Sequence, residues 1–502
     1  MNVKVQKANL SLVGGPYYTA QGYFPLGARS NNNGSSWSYP ITANKPKSLP
    51  PNISITPVLN PLLGQINYFI GSSCSGNLCA MGGRYLVGNV TYPMLAISKD
   101  GGLTWSYPIN STTALPGTMT PSNTDVAGFI NGVYCLGSLC AAAGQYHTAQ
   151  GNFPLLALTL DAGHTWTYPI SALKLPKGAV AAATSGFVGS LQNVFCTGTR
   201  CLVTGQYNVS SSGKGKRYPL LGLSTNSGAS WSYPLNAQSI YPGGISVPAS
   251  GIAGNFSRIL CVNEKCILSG TYRSTGDLGT QSYIILGYSA NGGASWIFPM
   301  SSQSDFPNNA ISTDSVTDMD CYNNRCMVGG YYSTNTMQVP LLMLSENNGK
   351  TWNYVVQDGQ NLPQGILSGY INSVTCSSVL CFAGGGYVFS DNAGYPFVVQ
   401  NKNGSPNWIY VVDKNNMPAD AQPDVNQVIS INSTSGTTSY GMAAGYYFNG
   451  SGYFPLIAVT QNGGGNWSFP VTSKSSSLPS DAVAEPSGFL NFFSTATTSA
   501  GQ

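Results

Sequence analysis

Apolar and polar positions along this chain alternate in short runs, broken by clusters of Gly, Asn, Asp and Ser, and the same broken pattern returns eight times. Residues 192–234 show one unit. QNVFC ends at Cys196, a four-residue turn follows, and CLVTGQY begins at Cys201. A variable loop, NVSSSGKGKR, leads to YPLLGLST, and a turn at 226–228 leads to SWSYPL. Period-two alternation in runs of this length, bounded by turn residues, predicts four antiparallel strands in an up-and-down meander, named A to D in chain order.

The turn between C and D carries the strongest signal. In SKDGGLTW, Asp100 offers a carboxylate to nearby backbone N–H groups, Gly102 permits the positive φ of a tight turn, and Trp105 supplies a large apolar body to the outgoing strand. The eight tryptophans of the protein, Trp37, Trp105, Trp166, Trp231, Trp296, Trp352, Trp408 and Trp467, all sit in this place. Each has Asp or Asn five residues earlier, and seven have Gly three residues earlier. The copy before Trp408 departs, with Gly404 shifted by one and Asn401 in the place of the usual Ser or Thr.

Eight copies of this turn resemble the Asp box (BNR repeat), S-x-D-x-G-x-x-W, of sialidase-like β-propellers. The resemblance implies an all-β, single eight-bladed β-propeller of four-stranded antiparallel blades, one domain over residues 1–502. In that family the box is a structural turn away from the active site, so function stays open. The spacing between tryptophans leaves the extra length of each repeat in the D-to-A linkers.

Bulk composition agrees with strands and turns. Only 8% of residues are charged, and Gly 60, Pro 31 and Tyr 30 disfavour long helices. A net charge of +4 is too small to argue for nucleic acid, and no apolar run is long enough to cross a bilayer. The first residues, MNVKVQKANLSLVGG, alternate like a strand and lack the apolar core of a signal peptide, so export is expected by another route or from a mature form.

The twelve cysteines form six C-x4-C pairs: Cys74/Cys79, Cys135/Cys140, Cys196/Cys201, Cys261/Cys266, Cys321/Cys326 and Cys376/Cys381. Zinc sites favour other spacings with His partners, and the only histidines are His147 and His164. Buried reduced pairs are the alternative. Disulfides across each A–B hairpin, at the roughly 5.5 Å Cα separation such bonds favour, are preferred and imply an oxidising compartment, secreted or at the cell surface. Repeats one and eight lack the pair. Gln6 and Ser11 take the two places in repeat one, and Thr495 in the C-terminal segment aligns with Cys376. Both chain ends thus look like a first strand, as expected if the ring closes by pairing the termini within blade one.

In a meander blade the A–B and C–D turns share one face, and the B–C loops and D–A linkers share the other, here the loop face. Binding is expected on the longer loops. The sialidase resemblance implies three arginines, an aspartate and a Tyr–Glu pair. With seven arginines and three glutamates, of which only Arg258 falls on a clear A strand and only Glu485 on the loop face, neither the arginine triad nor a Tyr–Glu pair is expected. Asp318 and Asp320 share one strand face and are the best carboxylate pair, beside Asp314. No cofactor motif, EF-hand spacing or nucleophile motif is present, and no catalytic residue is assigned. The candidate ligand residues are Arg258, Arg273, Asp318 and Asp320, with Tyr18 and Tyr446 from the Tyr- and Asn-rich loops YYTAQGYFP and YYFNGSGYFP. The expected function is non-catalytic recognition of a glycan or protein at the loop face. A glycoside-active enzyme and a self-assembling surface or filament subunit are the alternatives.

Charge placement adds to the last of these. Residues 1–250 hold 13 Lys+Arg against 3 Asp+Glu, net +10, and residues 251–502 hold 8 against 14, net −6. Consecutive blades are neighbours, so one half-disc should be basic and the other acidic, which suits an oriented head-to-tail contact.

Overall fold

The computed structural model describes residues 10–55, 67–122, 124–183, 185–211, 216–237, 239, 254–276, 279–300, 305–307, 310–357, 361–363, 365–390, 392–402, 407–425, 429–437, 439–474, 478–488, 490 and 493–498, with backbone alone at 274–276, 279–281, 313, 314 and 498. They form eight antiparallel sheets, each a meander of four strands, and one of them gains a short extra strand, Asp424–Val425. The innermost strands are Tyr68–Ser75, Gly128–Leu136, Gly189–Thr197, Gly254–Val262, Ser312–Tyr322, Ile366–Cys376, Ile431–Gly436 and Ser494–Thr498. Each touches the next around the ring, and the last touches the first. This is an eight-bladed β-propeller, with the A strand of each blade at the centre and the four-residue D strand, such as Ser106–Ile109, at the rim.

The repeated turns explain why the blades pack as they do. Ser98 Oγ donates to Asp100 Oδ1 (2.7 Å) and accepts from Gly102 N (2.8 Å), while Asp100 Oδ1 also accepts from Thr104 N at 2.9 Å. Gly102 has φ +84°, and a Cβ there would meet Leu12 of the preceding blade at 2.8 Å. Trp105 Nε1 donates to Gly102 O at 3.0 Å, which fixes the indole against the turn. Where Asn replaces Asp the same pattern holds: Ser230 N donates to Asn226 Oδ1 at 2.9 Å.

A second repeated device ties rim to core. In the G-x-Y segment of six B strands the tyrosine hydroxyl accepts the N–H of the second residue beyond the D strand, as in Ser111 N to Tyr85 (2.7 Å), Ala172 N to Tyr146 (2.8 Å) and Ser473 N to Tyr447 (2.8 Å). Burial pushes these hydroxyls upward in pKa. The tyrosines at this place therefore hold the linkers down.

All six cysteine pairs are joined within their own hairpins: Cys74 to Cys79, Cys135 to Cys140, Cys196 to Cys201, Cys261 to Cys266, Cys321 to Cys326 and Cys376 to Cys381. The pairing is as expected, but the separation is corrected. The Cα atoms lie 4.0–4.1 Å apart in every pair, closer than the spacing predicted. The turn is tighter than the sequence suggests. In blade 2 one more ladder pair, Ser75 with Leu78, closes a two-residue turn at Gly76, so the cysteines fall on the non-hydrogen-bonded pair, where strands approach closest.

Both ends of the described chain meet in blade 1, where Ser494–Thr498 pairs with Leu10–Thr19. The register corrects the alignment given above. Ser11, in the place of a second cysteine, faces Thr497, whereas Val13 faces Thr495. The place of Cys376 is thus Thr497, because the final linker is longer by two residues than the matching SGF/SGY motif implies. Gln6 lies outside the described residues. No described helix is long and apolar enough to cross a membrane.

Candidate functional site: the central channel

The A strands enclose a central cavity of about 460 Å³. Seven of them carry a bulge at one position, skipping Ile70, Asn131, Gln192, Ser257, Thr317, Asn372 and Asn432 in the ladder to strand B. The unpaired residue is turned out of the sheet, and three of the seven reach the next blade. Asn131 Nδ2 donates to Leu191 O at 2.8 Å, Thr317 Oγ1 to Ile371 O at 2.6 Å, and Asn372 Nδ2 to Ile431 O at 3.0 Å.

Beyond the bulge, the wall divides into two arcs. From blade 5 to blade 1 it is a continuous polar chain. Arg258 Nε donates to Asp318 Oδ1 at 3.3 Å. Asp318 Oδ2 accepts from Ser373 Oγ (2.7 Å) and Val374 N (3.2 Å). Ser373 Oγ accepts Thr434 N at 3.0 Å and lies 3.1 Å from Thr434 Oγ1. Ser433 Oγ accepts Thr495 N at 3.0 Å. Two residues further along blade 6, Asp320 repeats the step: Oδ2 accepts from Cys376 N and Oδ1 from Cys321 N, both at 2.8 Å. The period of two puts Asp318 and Asp320 on one face, and the same period in the neighbour presents Val374 and Cys376 to them.

Asp320 is the electrostatic outlier. Loss of solvent pushes its carboxyl up to about 7; the two N–H donors pull it back, and the nearby Asp318 charge adds to the rise. At neutral pH this carboxyl is poised between its two states.

Across the channel, blades 2 to 4 place Gly71, Gly132 and Asn193 where blades 6 and 7 place Asp318 and Ser373, and Tyr134 and Phe195 at the level of Asp320. The Tyr134 and Phe195 rings lie 4.8 Å apart at a tilt of 50°. With Ile70 and Leu260 they make an apolar, aromatic wall. Three polar atoms of channel-lining residues, Ser72 Oγ, Asn432 Oδ1 and Ser435 Oγ, are buried without a partner.

Of the residues expected from sequence to meet a ligand, Arg258, Asp318 and Asp320 come together here. The other three stand apart. Arg273 is on strand B of blade 5 opposite Ser282, half-buried. Tyr18 packs against Tyr23, with ring centres 4.8 Å apart and the planes tilted by 58°. Tyr446 is 4% exposed inside the wall of blade 8. Asp314 has no described side chain. The disulfides also stand apart from the site. Cys79, Cys140, Cys201, Cys266, Cys326 and Cys381, the B-strand partners, are buried between blades and do not line the channel, and of the A-strand partners only Cys74 does. They brace the hairpins that carry the channel wall.

A Tyr–Glu pair does exist, contrary to expectation: Tyr23 donates to Glu485, held also by Ser487 N at 2.9 Å and Gly488 N at 2.6 Å. The expectation failed because the partners are 462 residues apart and meet only through ring closure. Both are buried, at 1% and 0%, and burial with the Glu485 hydrogen bond pushes the Tyr23 hydroxyl well above its ordinary pKa, which disfavours a nucleophilic phenolate. Tyr134, Phe195, Ser373 and Ser433 were not singled out from sequence. For Tyr134, Phe195 and Ser373 the signal was available in the A-strand position one or three residues before the first cysteine, whereas Ser433 lies in a blade that lacks the pair. Among the described residues no three of His, Cys, Asp and Glu converge as a metal site.

No family model matches the chain, and no curated protein matches it. Solved structures do. A PL25 ulvan lyase, a polysaccharide lyase, matches at 13% identity over 82% of this chain and 96% of its own, with TM-score 0.40. YCF48 bound to a D1 peptide matches at 12% identity over 65% of this chain and 76% of its own, TM-score 0.34. Trypanosoma rangeli sialidase in complex with the inhibitor DANA matches at 11% identity over 69% of this chain and 58% of its own, TM-score 0.32.

Proposed function

We propose that this protein is an exported, disulfide-stapled propeller of the Asp-box kind that recognises a glycan and performs no chemistry on it. The observation that carries the reading is the division of the channel. An aromatic wall, Tyr134 with Phe195, faces a wall of carboxylates and hydroxyls, Asp318, Asp320, Ser373 and Ser433. A sugar has the matching pair of surfaces: C–H faces that stack on aromatic rings and hydroxyls that bond to acids and alcohols. The ligand would lie in the channel and extend to its loop-face mouth. A glycan array tests this. Binding by the intact protein that is lost in Phe195→Ala supports the reading, and an array with no signal for the folded protein overturns it.

Sialoside cleavage is not part of this function. The Tyr23–Glu485 pair is buried, and Arg258, the one arginine that lines the channel among the described residues, is bound to Asp318. A fluorogenic sialoside should remain intact. Turnover abolished by Arg258→Ala would replace recognition with catalysis. Head-to-tail self-association is a second reading, favoured by the +10 and −6 halves of the chain. It should weaken as salt rises and the Debye length falls from about 10 Å at 0.1 M to about 3 Å at 1 M, and light scattering over that range measures it.

A further inference from the structure

At the loop-face end of the channel, Arg84 occupies the middle of Gly83-Arg84-Tyr85 on strand B of blade 2, opposite Tyr68. Its guanidinium carbon lies 4.9 Å from the centre of the Tyr68 ring. Beside it is a cavity of about 90 Å³ between blades 2 and 3, lined by Arg84, Tyr68, Phe129, Ile130 and Asn131. Ile70 and Asn131 line both this cavity and the channel, so the two spaces share a wall.

Two observations taken together set Arg84 apart from the other described arginines. Its Nε is buried with no hydrogen-bond partner. It also has no acid: the ion pairs among the described residues use Arg200, Arg258 and Arg325, and Arg29 donates its Nε to Gly101 O. A half-buried cation with an unused donor carries a desolvation cost that Tyr68 offsets only in part. The Tyr68 ring covers one face of the guanidinium and its hydroxyl interacts with Arg84, which leaves the Nε edge without an acceptor. That edge is a planar fork of N–H donors, matched in geometry by a carboxylate. The cavity exceeds the ~10–15 Å³ one water needs, and suits a compact planar group better than a whole sugar ring.

We propose that Arg84 anchors an anion subsite that takes the carboxylate of an acidic sugar whose ring lies toward the channel. This rests on the glycan reading and narrows it to uronate-type ligands. Apolar Phe129 and Ile130 strengthen the pairing by excluding water. Lysine at this place would keep the charge and lose the fork.

The experiment is a titration of the intact protein, watched at the arginine Nε–H resonances, of which the chain has seven. The Arg84 signal is the one that disappears in Arg84→Lys. It should move saturably with sodium glucuronate and stay still with glucose. Calorimetric affinity for glucuronate should fall about tenfold in Arg84→Lys, roughly the worth of one charge-assisted hydrogen bond, and further in Arg84→Gln. An Arg84 signal indifferent to glucuronate overturns the proposal. A tighter response to N-acetylglycine than to glucuronate overturns the sugar assignment in favour of a peptide carboxylate. Phe195→Ala keeps the Arg84 response while abolishing array binding, so failure of the channel reading and failure of this one are told apart.

Discussion

Blades 6 to 8 with blade 1, and blades 2 to 4, build opposite sides of one channel on one backbone design. Apart from the unbulged final strand of blade 1, both use the same bulged inner strand and nearly the same ladder to strand B. On the first side, the residue just past the bulge is Asp318, Ser373 or Ser433, and each side chain accepts a backbone N–H of the following blade. On the second side the same place holds Gly71, Gly132 and Asn193. There the polar blade contacts lie elsewhere: Ser73 Oγ accepts Cys135 N at 3.0 Å, Ser75 Oγ accepts Gly137 N at 2.9 Å, and the Asn131 bond and the aromatic pair add to them. The difference teaches that inner-strand side chains have two separable uses. On one arc they stitch the ring, and on the other they are released from stitching and can present an apolar surface.

The largest expected effect comes from cutting the stitched arc at its charged member. Asp318→Ala leaves Arg258 without its acid and strips acceptors from Ser373 and Val374, and should cost about 3 kcal/mol in urea unfolding. A loss below about 1 kcal/mol would mean the chain of bonds does not hold the ring. Next is pH. The folded Asp320 carboxyl titrates near 7, against about 3.9 in an unfolded chain. Between these values the folded state keeps a proton that the unfolded state has lost. The contribution of Asp320 to stability is therefore greatest in acid, falls as pH rises toward 7, and levels off above it, by about 3 kcal/mol between pH 5 and pH 8, whereas Asp100 and Asp161, held low by their turn hydrogen bonds, act in the opposite sense at lower pH. Asp320→Asn should flatten that slope, and an unchanged slope in the variant would assign it to other groups.

Smaller effects sharpen the contrast. Ser373 has three partners in its arc and Ser73 one, so Ser373→Ala should cost about 2 kcal/mol and Ser73→Ala about 1 kcal/mol. Equal losses would erase the distinction between stitched and released arcs. Phe195→Ala should be as mild for stability as Ser73→Ala, about 1 kcal/mol for the lost aromatic contact, while abolishing the glycan-array signal.

Much of this was legible in the chain. The Ser98-Asp100-Gly102-Trp105 spacing fixes a turn whose donors and acceptors satisfy one another locally, so eight blades could be counted before any fold was seen. The cysteine pairing was legible for the same reason, since both partners belong to one hairpin. The hairpin's own register was not: the two-residue turn at Gly76 set the close Cα approach of Cys74 and Cys79. The carboxylates Asp318 and Asp320 were visible as a pair by their period, whereas their acceptor roles toward Val374 and Cys376 depend on a neighbouring blade. The final strand was misaligned by two residues because SGF resembles SGY, and only pairing of Val13 with Thr495 decides the register.

The sequence by itself determined the number of blades, their strand order, the disulfides and the unequal charge of the two halves, because each of these is local or a plain count. The tertiary structure decided what the channel is made of. Closing the ring brings Tyr23 to Glu485 and Ser433 to Thr495, and turns one recurring inner-strand position into a polar wall on one side and an open, aromatic one on the other. It also leaves Arg84 half-buried with no ion-pair partner among the described residues, because the acid of its own blade, Asp100, is taken up by the Ser98 and Thr104 bonds of the C–D turn. Which side chains face one another across a ring depends on how many blades separate them, a distance that no spacing along the chain expresses.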